Sequence, residues 1–218
     1  MPKLKPEEIA LRRREIVEAA RRCFIRSGFH QTTTDEICRE ASITPGGLYH
    51  YFSNKEELIK AVIQHAAAGA LQMVREAATT EPDPRSALRR MGAFFLQAFY
   101  EPDFENIARL DLETWSEALR NPGLLEIIHE SRGATRDSIA EVIQEGIRRG
   151  DLTDKIDAVA LANLFAAINT GLRLGRLLGP ADVDANKVME ALGILIRGEL
   201  LPKPDEPASA PAPATRSR

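Results

Sequence analysis

Residues 33–58 read TTDEICREASITPGGLYHYFSNKEEL, and no other stretch of the chain says as much about its fold. It opens with Thr33 and Glu36 at the spacing of a capping box, in which a hydroxyl and a carboxylate satisfy free backbone donors at a helix start. Ala41 is followed by Ser42, a residue type common in turns. The pattern therefore predicts a short helix that ends near Ala41.

A second short helix is predicted three residues later, over residues 45–51. Thr44 and Pro45 mark its start, because a hydroxyl caps a helix and a proline at the first helical position needs no hydrogen-bond donor. Only Ser42, Ile43 and Thr44 separate the two helices. The stretch is therefore expected to fold as two short helices joined by a tight turn.

Longer helices are predicted on both sides of this pair. The first covers about 11–27 and stops at Gly28, a residue type that readily adopts the left-handed conformation of a helix end. The other is opened by a capping box of Ser53 and Glu56 and runs to about Thr79.

The rest of the chain keeps apolar residues at helical spacing, and nothing alternates with a period of two. Prolines, glycines and asparagine mark the breaks. Further helices are expected at about 85–100, 103–120, 122–149, 155–178 and 183–200. The fold class is therefore all-α with about nine helices. We divide the chain into an N-terminal three-helix domain (1–55), a larger helical domain (56–201) and a disordered Pro/Ala-rich tail (202–218).

Two short capped helices packed on a longer one have the shape of a helix-turn-helix, whose second helix enters the DNA major groove. Residues 33–58 resemble the DNA-binding signature of the TetR family nearly position for position. The shared elements are threonine at the start of the second helix, isoleucine in its middle, Gly-x-Leu-Tyr-x-Tyr-Phe over 46–52, and then Lys-Glu-x-Leu. The resemblance covers about 13–63, and one departure is Ser42, where the family usually has glycine.

This resemblance implies a ligand-responsive transcriptional regulator, most often a repressor. It implies a homodimer that binds double-stranded operator DNA through its helix-turn-helix. It also implies a small-molecule effector enclosed among helices four to eight, and a dimer contact formed by the last two long helices. In this sequence those two helices are apolar over more than one face, which predicts that they are buried on two sides.

The candidate DNA-binding residues fall into two groups by the part of the duplex they reach. Hydroxyls and free amides at a helix start hold phosphates, and tyrosine and lysine side chains reach the backbone on either side. The phosphate candidates are Thr33, Thr34, Tyr49, Tyr51 and Lys55. The exposed face of the second short helix, with two flanking residues, is expected to read bases. The base-reading candidates are Arg39, Thr44, Pro45, Gly46, Gly47 and His50.

Few of these side chains form bidentate contacts with bases, so DNA shape and the basic segment 3–14 are expected to contribute. The alternative for Arg12, Arg13 and Arg14 is an ordinary solvated helix face. Tyr51 is equally well explained as half buried in the core.

Most aromatic residues of the larger domain lie in its middle helices. Each alone is more simply explained as core, but the resemblance makes several of them candidates for an effector pocket. The pocket candidates are Phe95, Phe99, Trp115, Phe165 and Asn169, with Arg109 or Arg173 meeting a polar or anionic end. A cation, an acyl thioester, a flavonoid and another aromatic metabolite all remain open, with the acidic body favouring a cation slightly.

Charge is unevenly distributed over the 218 residues, whose net charge is −3. Residues 1–65 carry eleven Lys/Arg against nine Asp/Glu, whereas 66–218 carry eighteen against twenty-three. A mildly basic head on an acidic body fits a DNA-reading module attached to a domain that does not touch DNA.

Other classes of protein find little support in the sequence. No run of eighteen apolar residues and no signal peptide is visible, so we expect a cytoplasmic protein without a membrane span. Cys23 and Cys38 lie on apolar helical positions without metal-ligand spacing, so no metal and no cofactor are expected. An enzyme would have to use scattered groups that form no catalytic set. A helical acyl-chain carrier would leave the N-terminal motif unexplained.

Overall fold

The computed structural model describes residues 5–179 and, beyond them, residues 184, 187, 188, 190, 191 and 194, with the side chain of residue 98 left out. Contacts divide the chain into two units, Met1–Gly179 and Pro180–Arg218. The first unit is all-helical in its described part, as the apolar spacing predicts. Most of the helix predicted over 183–200, and the whole predicted tail 202–218, lie outside the described residues.

Eight helices follow one another in the first unit. A 3-10 turn over Ala98–Tyr100 continues the fifth. The helices are α1 (Pro6–Gln31), α2 (Thr34–Glu40), α3 (Pro45–Tyr51), α4 (Lys55–Thr80), α5 (Pro84–Gln97), α6 (Phe104–Ala118), α7 (Pro122–Arg148) and α8 (Ala158–Leu178).

The first helix is longer than predicted at both ends. It begins at Pro6. The amide of Lys5, directly before the helix, donates to the Glu8 carboxylate at 2.8 Å, so a backbone donor that is free at the helix start gains a partner. Gly28 has a φ of 74°, the left-handed conformation expected of it, but helical residues resume after it as far as Gln31. The predicted stop at Gly28 is therefore a kink within α1.

The predicted capping box at the start of the fourth helix is wrong by one residue. Asn54, and not Ser53, caps α4, because its side-chain oxygen accepts from the Glu57 amide at 2.8 Å. The Glu57 carboxylate accepts from the amide of Ser53, the residue before the cap, at 2.8 Å. That bond lowers the pKa of the Glu57 carboxyl.

Later boundaries differ from the predictions by a few residues. α5 ends at Gln97 and passes into the 3-10 turn, so the helix predicted to residue 100 changes type near its end. α8 begins only at Ala158, because Asp157 caps it by accepting from the Ala160 amide at 2.6 Å. The predicted start at Lys155 is wrong for that reason.

Two separate hydrophobic cores hold the unit together. The first joins α1, α2, α3 and the start of α4, with Phe24, Ile37 and Leu48 among its buried side chains. The second joins the end of α4 with α5, α7 and α8, and Ile143 is fully buried within it. α4 contributes Leu58 to the first core and Val74 to the second. Residues of one continuous helix thus belong to both cores.

α6 makes a second connection, which runs from the first core to the helices α7 and α8. The carboxylate of Glu113 accepts the Phe29 amide at 2.7 Å, and Leu110 packs against the first core. A Cβ atom at Gly28 would lie 2.4 Å from the Glu113 Oε1 atom. Glycine at position 28 is therefore favoured by its φ, and a larger residue would push the Glu113 carboxylate away from the Phe29 amide.

We expect Gly28→Ala to lower the free energy of unfolding by roughly 2 kcal/mol, because alanine at this φ is strained and its Cβ displaces the Glu113 carboxylate. Urea unfolding followed by circular dichroism measures the change. Gly69→Ala is the matched control, since Gly69 is exposed in α4 with open space around it and should gain up to about 1 kcal/mol. Equal stability of Gly28→Ala and the wild type would contradict this account of the kink.

Candidate nucleic-acid interface and effector cavity

The short helix α3 presents a face with little side chain on it. Thr44 caps the helix by accepting from the Gly47 amide at 3.1 Å, and Pro45 takes the first position. Pro45, Gly46 and His50 are exposed, and a Cβ at Gly46 would meet nothing within 4 Å. The backbone of this face is therefore open to close approach by a large partner.

Leu48 fixes α3 from the inside. It is 2% exposed and packs in the first core, as does Phe52 directly after the helix. Tyr51 is half-buried against the same core and its ring meets His50 edge-to-face, with centroids 5.3 Å apart. Tyr49 points outward and is 54% exposed. Of the two tyrosines, Tyr51 thus also has a packing role.

The start of α2 is occupied by the predicted capping box. The Glu36 amide donates to the Thr33 hydroxyl at 3.2 Å, and the Glu36 carboxylate accepts the Thr33 amide at 2.8 Å. This hydrogen bond from Thr33 lowers the pKa of the Glu36 carboxyl. Thr34 is half-buried, and Arg39 is exposed near the end of α2.

The turn between α2 and α3 is strained at Ser42, which has a φ of 51° where the related signature usually has glycine. Arg12 of α1 stabilises this turn, because its Nη2 atom donates to the Ala41 carbonyl at 3.2 Å and to the Ser42 carbonyl at 3.1 Å. Serine thus occupies a left-handed position that two hydrogen bonds from α1 hold in place.

The neighbouring arginines of α1 differ in their roles. Arg13 lies over the Phe52 ring, 4.4 Å from its centroid, and forms an ion pair with Glu57 at 3.6 Å. Arg14 is exposed and has no ion pair within 4.0 Å among residues 5–179. Of the three arginines, Arg12 and Arg13 therefore have structural contacts, which the sequence alone did not indicate.

Further arginines join α1 to α2. Arg22 and Arg26 donate to the two carboxylate oxygens of Glu40 at 2.7 and 2.9 Å. These bonds, first that of Arg22 and then that of Arg26, lower the pKa of the Glu40 carboxyl. The position of α2 on α1 is therefore set by ion pairs as well as by apolar packing.

Both cysteines belong to the first core, as the sequence predicts. Cys23 is 2% exposed and Cys38 4% exposed. Burial raises the pKa of each thiol, so both are protonated at neutral pH. They behave as small apolar side chains.

A cavity of about 630 Å³ lies among α4, α5, α7 and α8. Three of the predicted pocket residues, Phe95, Phe165 and Asn169, line it together. Ala67 and Ala70 of α4 form another part of the wall. The cavity is large enough for a small organic molecule, and it borders the helix that joins the two cores.

The structure does not bring the other four predicted pocket residues to this cavity. Phe99 is 1% exposed and stacks on Phe104 with ring centroids 5.2 Å apart. Arg109 is exposed and lies 3.9 Å from Glu105, and Trp115 is half-buried elsewhere on α6. Arg173 forms an ion pair with Asp111 of α6.

Three basic residues of the cavity wall were not predicted from the sequence. His129, Arg132 and Arg136 line it from α7, and none of the described residues that line it is Asp or Glu. The only signal in the sequence is the spacing of the two arginines, which places them on one helix face.

The apolar residues of α8 are only partly covered within the first unit. Val159 is 43%, Leu164 53% and Leu178 76% exposed. By length and composition alone α8 would also cross a membrane, and it is the one helix of the described residues for which this is true. A helix covered by another polypeptide has the same composition.

The helices α1, α2 and α3 pack around the first core, with α2 and α3 joined by a tight turn. α4 connects them to a body that contains a cavity. This arrangement is that of a helix-turn-helix DNA-binding regulator. Comparison with known proteins gives the same class and a family. Residues 16–62 match the model of bacterial regulatory proteins of the tetR family, and residues 84–201 match that of the C-terminal part of BetI-type transcriptional repressors. The chain belongs to the TetR family of transcriptional regulators, whose members are generally ligand-responsive DNA-binding repressors and homodimers.

Individual relatives are similar over most of the chain. The regulator TtgR of Pseudomonas putida is 30% identical over 82% of this chain and 86% of its own. A transcriptional regulator from Saccharomonospora viridis, solved with choline, has a TM-score of 0.72 and 23% identity over 86% of this chain and 96% of its own. FadR from Bacillus subtilis, solved with stearoyl-CoA, has a TM-score of 0.69 and 19% identity over 85% and 98%.

We expect Arg12→Ala to lower the free energy of unfolding by about 1 kcal/mol and to loosen the turn, because the Ala41 and Ser42 carbonyls lose their donor. Urea unfolding measures the stability, and hydrogen exchange of the Ile43 amide measures the local opening. Arg14→Ala is the matched control and should change the stability by less than about 0.5 kcal/mol. Equal effects of the two substitutions would refute the role of Arg12 in holding the turn.

Proposed function

We propose that this chain is a homodimeric repressor that leaves its operator when a hydrophobic or aromatic small molecule enters the cavity among α4, α5, α7 and α8. The observation that carries the proposal is the position of α4. Ala67 and Ala70 line the cavity, and Leu58 of the same helix belongs to the core that holds the recognition helix. Occupation of the cavity and placement of α3 therefore act on one rigid element.

In this proposal α3 lies in the major groove, and some of the side chains around it contact phosphates while others contact bases. Thr33, Thr34, Tyr49, Tyr51 and Lys55 contact phosphates and set the register. Pro45, Gly46, Gly47 and His50 face the bases, with Thr44 and Arg39 at the edges. The open space at Gly46 and the exposure of His50 support this assignment.

The dimer is proposed to form through α8 and the residues that follow it. The exposed Val159, Leu164 and Leu178 leave an apolar face that a second protomer would cover. Two recognition helices held about 34 Å apart would then meet successive major grooves on one side of the duplex. Regulators of this family are soluble, and we place this one in the cytoplasm.

The basic test is binding to the DNA upstream of the protein's own gene, followed by fluorescence anisotropy. We expect sequence-selective binding that weakens steeply as salt is raised, since released counterions drive part of the affinity. An enzyme or an acyl-chain carrier built on the same body would bind no DNA in this way. A strictly monomeric protein that ignores promoter DNA at low salt would contradict the proposal.

Lys55→Ala should weaken binding to all DNA sequences alike and reduce the salt slope by about one unit, because one phosphate contact is lost. Tyr49→Ala should also weaken binding to every sequence. Anisotropy titrations at several salt concentrations measure both effects. Lys155→Ala is the matched control, because Lys155 is exposed in the loop before α8 and should leave the slope unchanged.

His50→Ala should change the preference among operator variants by about 1–3 kcal/mol at one base pair, because the lost side chain reads a base edge. The measurement is a competition of single-base operator variants against the native duplex. A uniform loss over all variants would assign His50 to the phosphates instead.

The switch is tested with N-phenyl-1-naphthylamine and 8-anilino-1-naphthalenesulfonate, aromatic dyes whose fluorescence rises in apolar sites. A dye bound in the cavity should lower operator affinity by about fivefold or more, the range of ordinary allosteric coupling. Phe165→Ala should keep operator binding and weaken the dye, since Phe165 lines the cavity. Unchanged operator affinity for every compound that binds the cavity would refute the switch and leave the DNA-binding role intact.

A further inference from the structure

The cavity among α4, α5, α7 and α8 is lined by both basic and apolar side chains. Arg132 and Arg136 line it from α7, one helical turn apart, with His129 beside them. Phe95, Phe165 and Ile139 supply an apolar part of the wall. The cavity wall therefore offers hydrogen-bond donors and positive charge as well as aromatic rings.

The positive charge of this wall is poorly compensated within the protein. Within residues 5–179, Arg132 has no ion pair within 4.0 Å. Arg136 contacts Asp137 at 2.6 Å, but both side chains are partly in water, at 38% and 58% exposed, which makes such a pair weak. Like charges one turn apart on a helix repel each other, and a bound anion would relieve that repulsion.

The nearby carboxylates compensate this positive charge only in part. Asp111 lies close enough to interact electrostatically with Arg132, but it is bound to Arg173. Asp137 lines a different cavity of about 580 Å³, together with Glu141 and Glu145. Glu81 and Asp83 also line that cavity, as do Arg75, Arg148 and Arg149, so its acids outnumber its bases by five to three, whereas no described residue that lines the first cavity is Asp or Glu.

Polar neutral groups also line the cavity. Asn163, Asn169 and Thr170 line the same cavity from α8. Amide and hydroxyl groups hydrogen-bond the oxygens of an anion, and arginine forms paired hydrogen bonds with carboxylate or phosphate. The positive charge of Arg132 and Arg136 disfavours a quaternary ammonium group, and no described residue that lines the cavity is an acid that could attract one.

We propose that the effector of this regulator is an amphipathic organic anion, whose carboxylate or phosphate group is held by Arg132 and Arg136 while its apolar part packs against Phe95 and Phe165. The inference rests on the proposed function, since it names the ligand class of that cavity. It differs from the slight preference for a cation that the acidic body gave. It also differs from the S. viridis regulator, whose structure holds choline.

The test compares two dyes of the same skeleton, anionic 8-anilino-1-naphthalenesulfonate and uncharged N-phenyl-1-naphthylamine, on the full-length protein. Arg132→Gln should weaken the anionic dye about tenfold or more, because a charge-assisted hydrogen bond is lost, and should change the uncharged dye less than about threefold. Arg75→Gln is the matched control, because Arg75 is an exposed arginine that lines the acidic cavity. Both dyes should bind this variant as they bind the wild type.

Displacement of the anionic dye identifies the head group. Decanoate, decyl phosphate and decyltrimethylammonium share one chain, and we expect the two anions to displace the dye and the cation to fail. The better competitor of the two anions distinguishes a carboxylate ligand from a phosphate ligand. Displacement by the cation alone, or equal loss of both dyes in Arg132→Gln, would overturn the proposal.

Operator binding separates this inference from the function on which it rests. Arg132→Gln should bind operator DNA normally, since it lies outside the helix-turn-helix. Release of the wild type by dyes without any dependence on Arg132 would overturn the anion assignment and keep the switch. Binding of the anionic dye that depends on Arg132 but never releases DNA would keep the anion site and refute the switch.

Discussion

The helix α4 is buried in both hydrophobic cores, and the other helices of the unit are arranged around its two ends. α4 runs without a break from Lys55 to Thr80, roughly 39 Å at 1.5 Å per residue. Its first turns pack with Phe52 and Leu48, and its last turns pack with α5 and α7. Because both ends pack against apolar side chains, we expect a movement at one end of the helix to be transmitted to the other. The body and the DNA-reading domain are thus mechanically joined before any ligand binds.

α6 adds a second and more polar connection. Glu113 accepts the Phe29 amide, and Asp111, two residues earlier, binds Arg173 of α8. Burial raises the pKa of the Asp111 carboxyl, and Arg173 opposes that shift. One helix therefore holds the kink of α1 through one carboxylate and α8 through another. The DNA-reading domain is therefore connected to the body by two helices, α4 and α6.

Local signals predicted the DNA-reading part well. α3 has the bounds expected from the sequence. Its start is marked by two adjacent residues, the cap Thr44 and Pro45 at the first helical position. Leu48 and Phe52 are buried and hold the helix on the core. The start of α4 was wrong by one residue, because Asn54 next to Ser53 is an equally good cap and sequence spacing does not choose between them. Errors of this kind arise where two neighbouring residues compete for one role.

Contacts between distant residues could not be predicted in the same way. Arg12 holds a turn thirty residues away, and nothing near it in the sequence distinguishes it from Arg14. Of the cavity residues, Phe95, Phe165 and Asn169 could be predicted by their chemistry and family layout. Arg132 and Arg136 were missed, because charged residues on a long helix resemble a solvated face until the neighbouring helices are placed.

The pair Gly46 and Gly47 has a consequence for how α3 recognises its target. Each glycine weakens a helix by about 1 kcal/mol relative to alanine, and α3 has only seven residues. Its helical form in the free protein therefore depends on the cap from Thr44 and on the burial of Leu48. These two side chains therefore determine whether α3 can present its open backbone at all, and a substitution at Thr44 or Leu48 would reach a bound partner only through the shape of the helix.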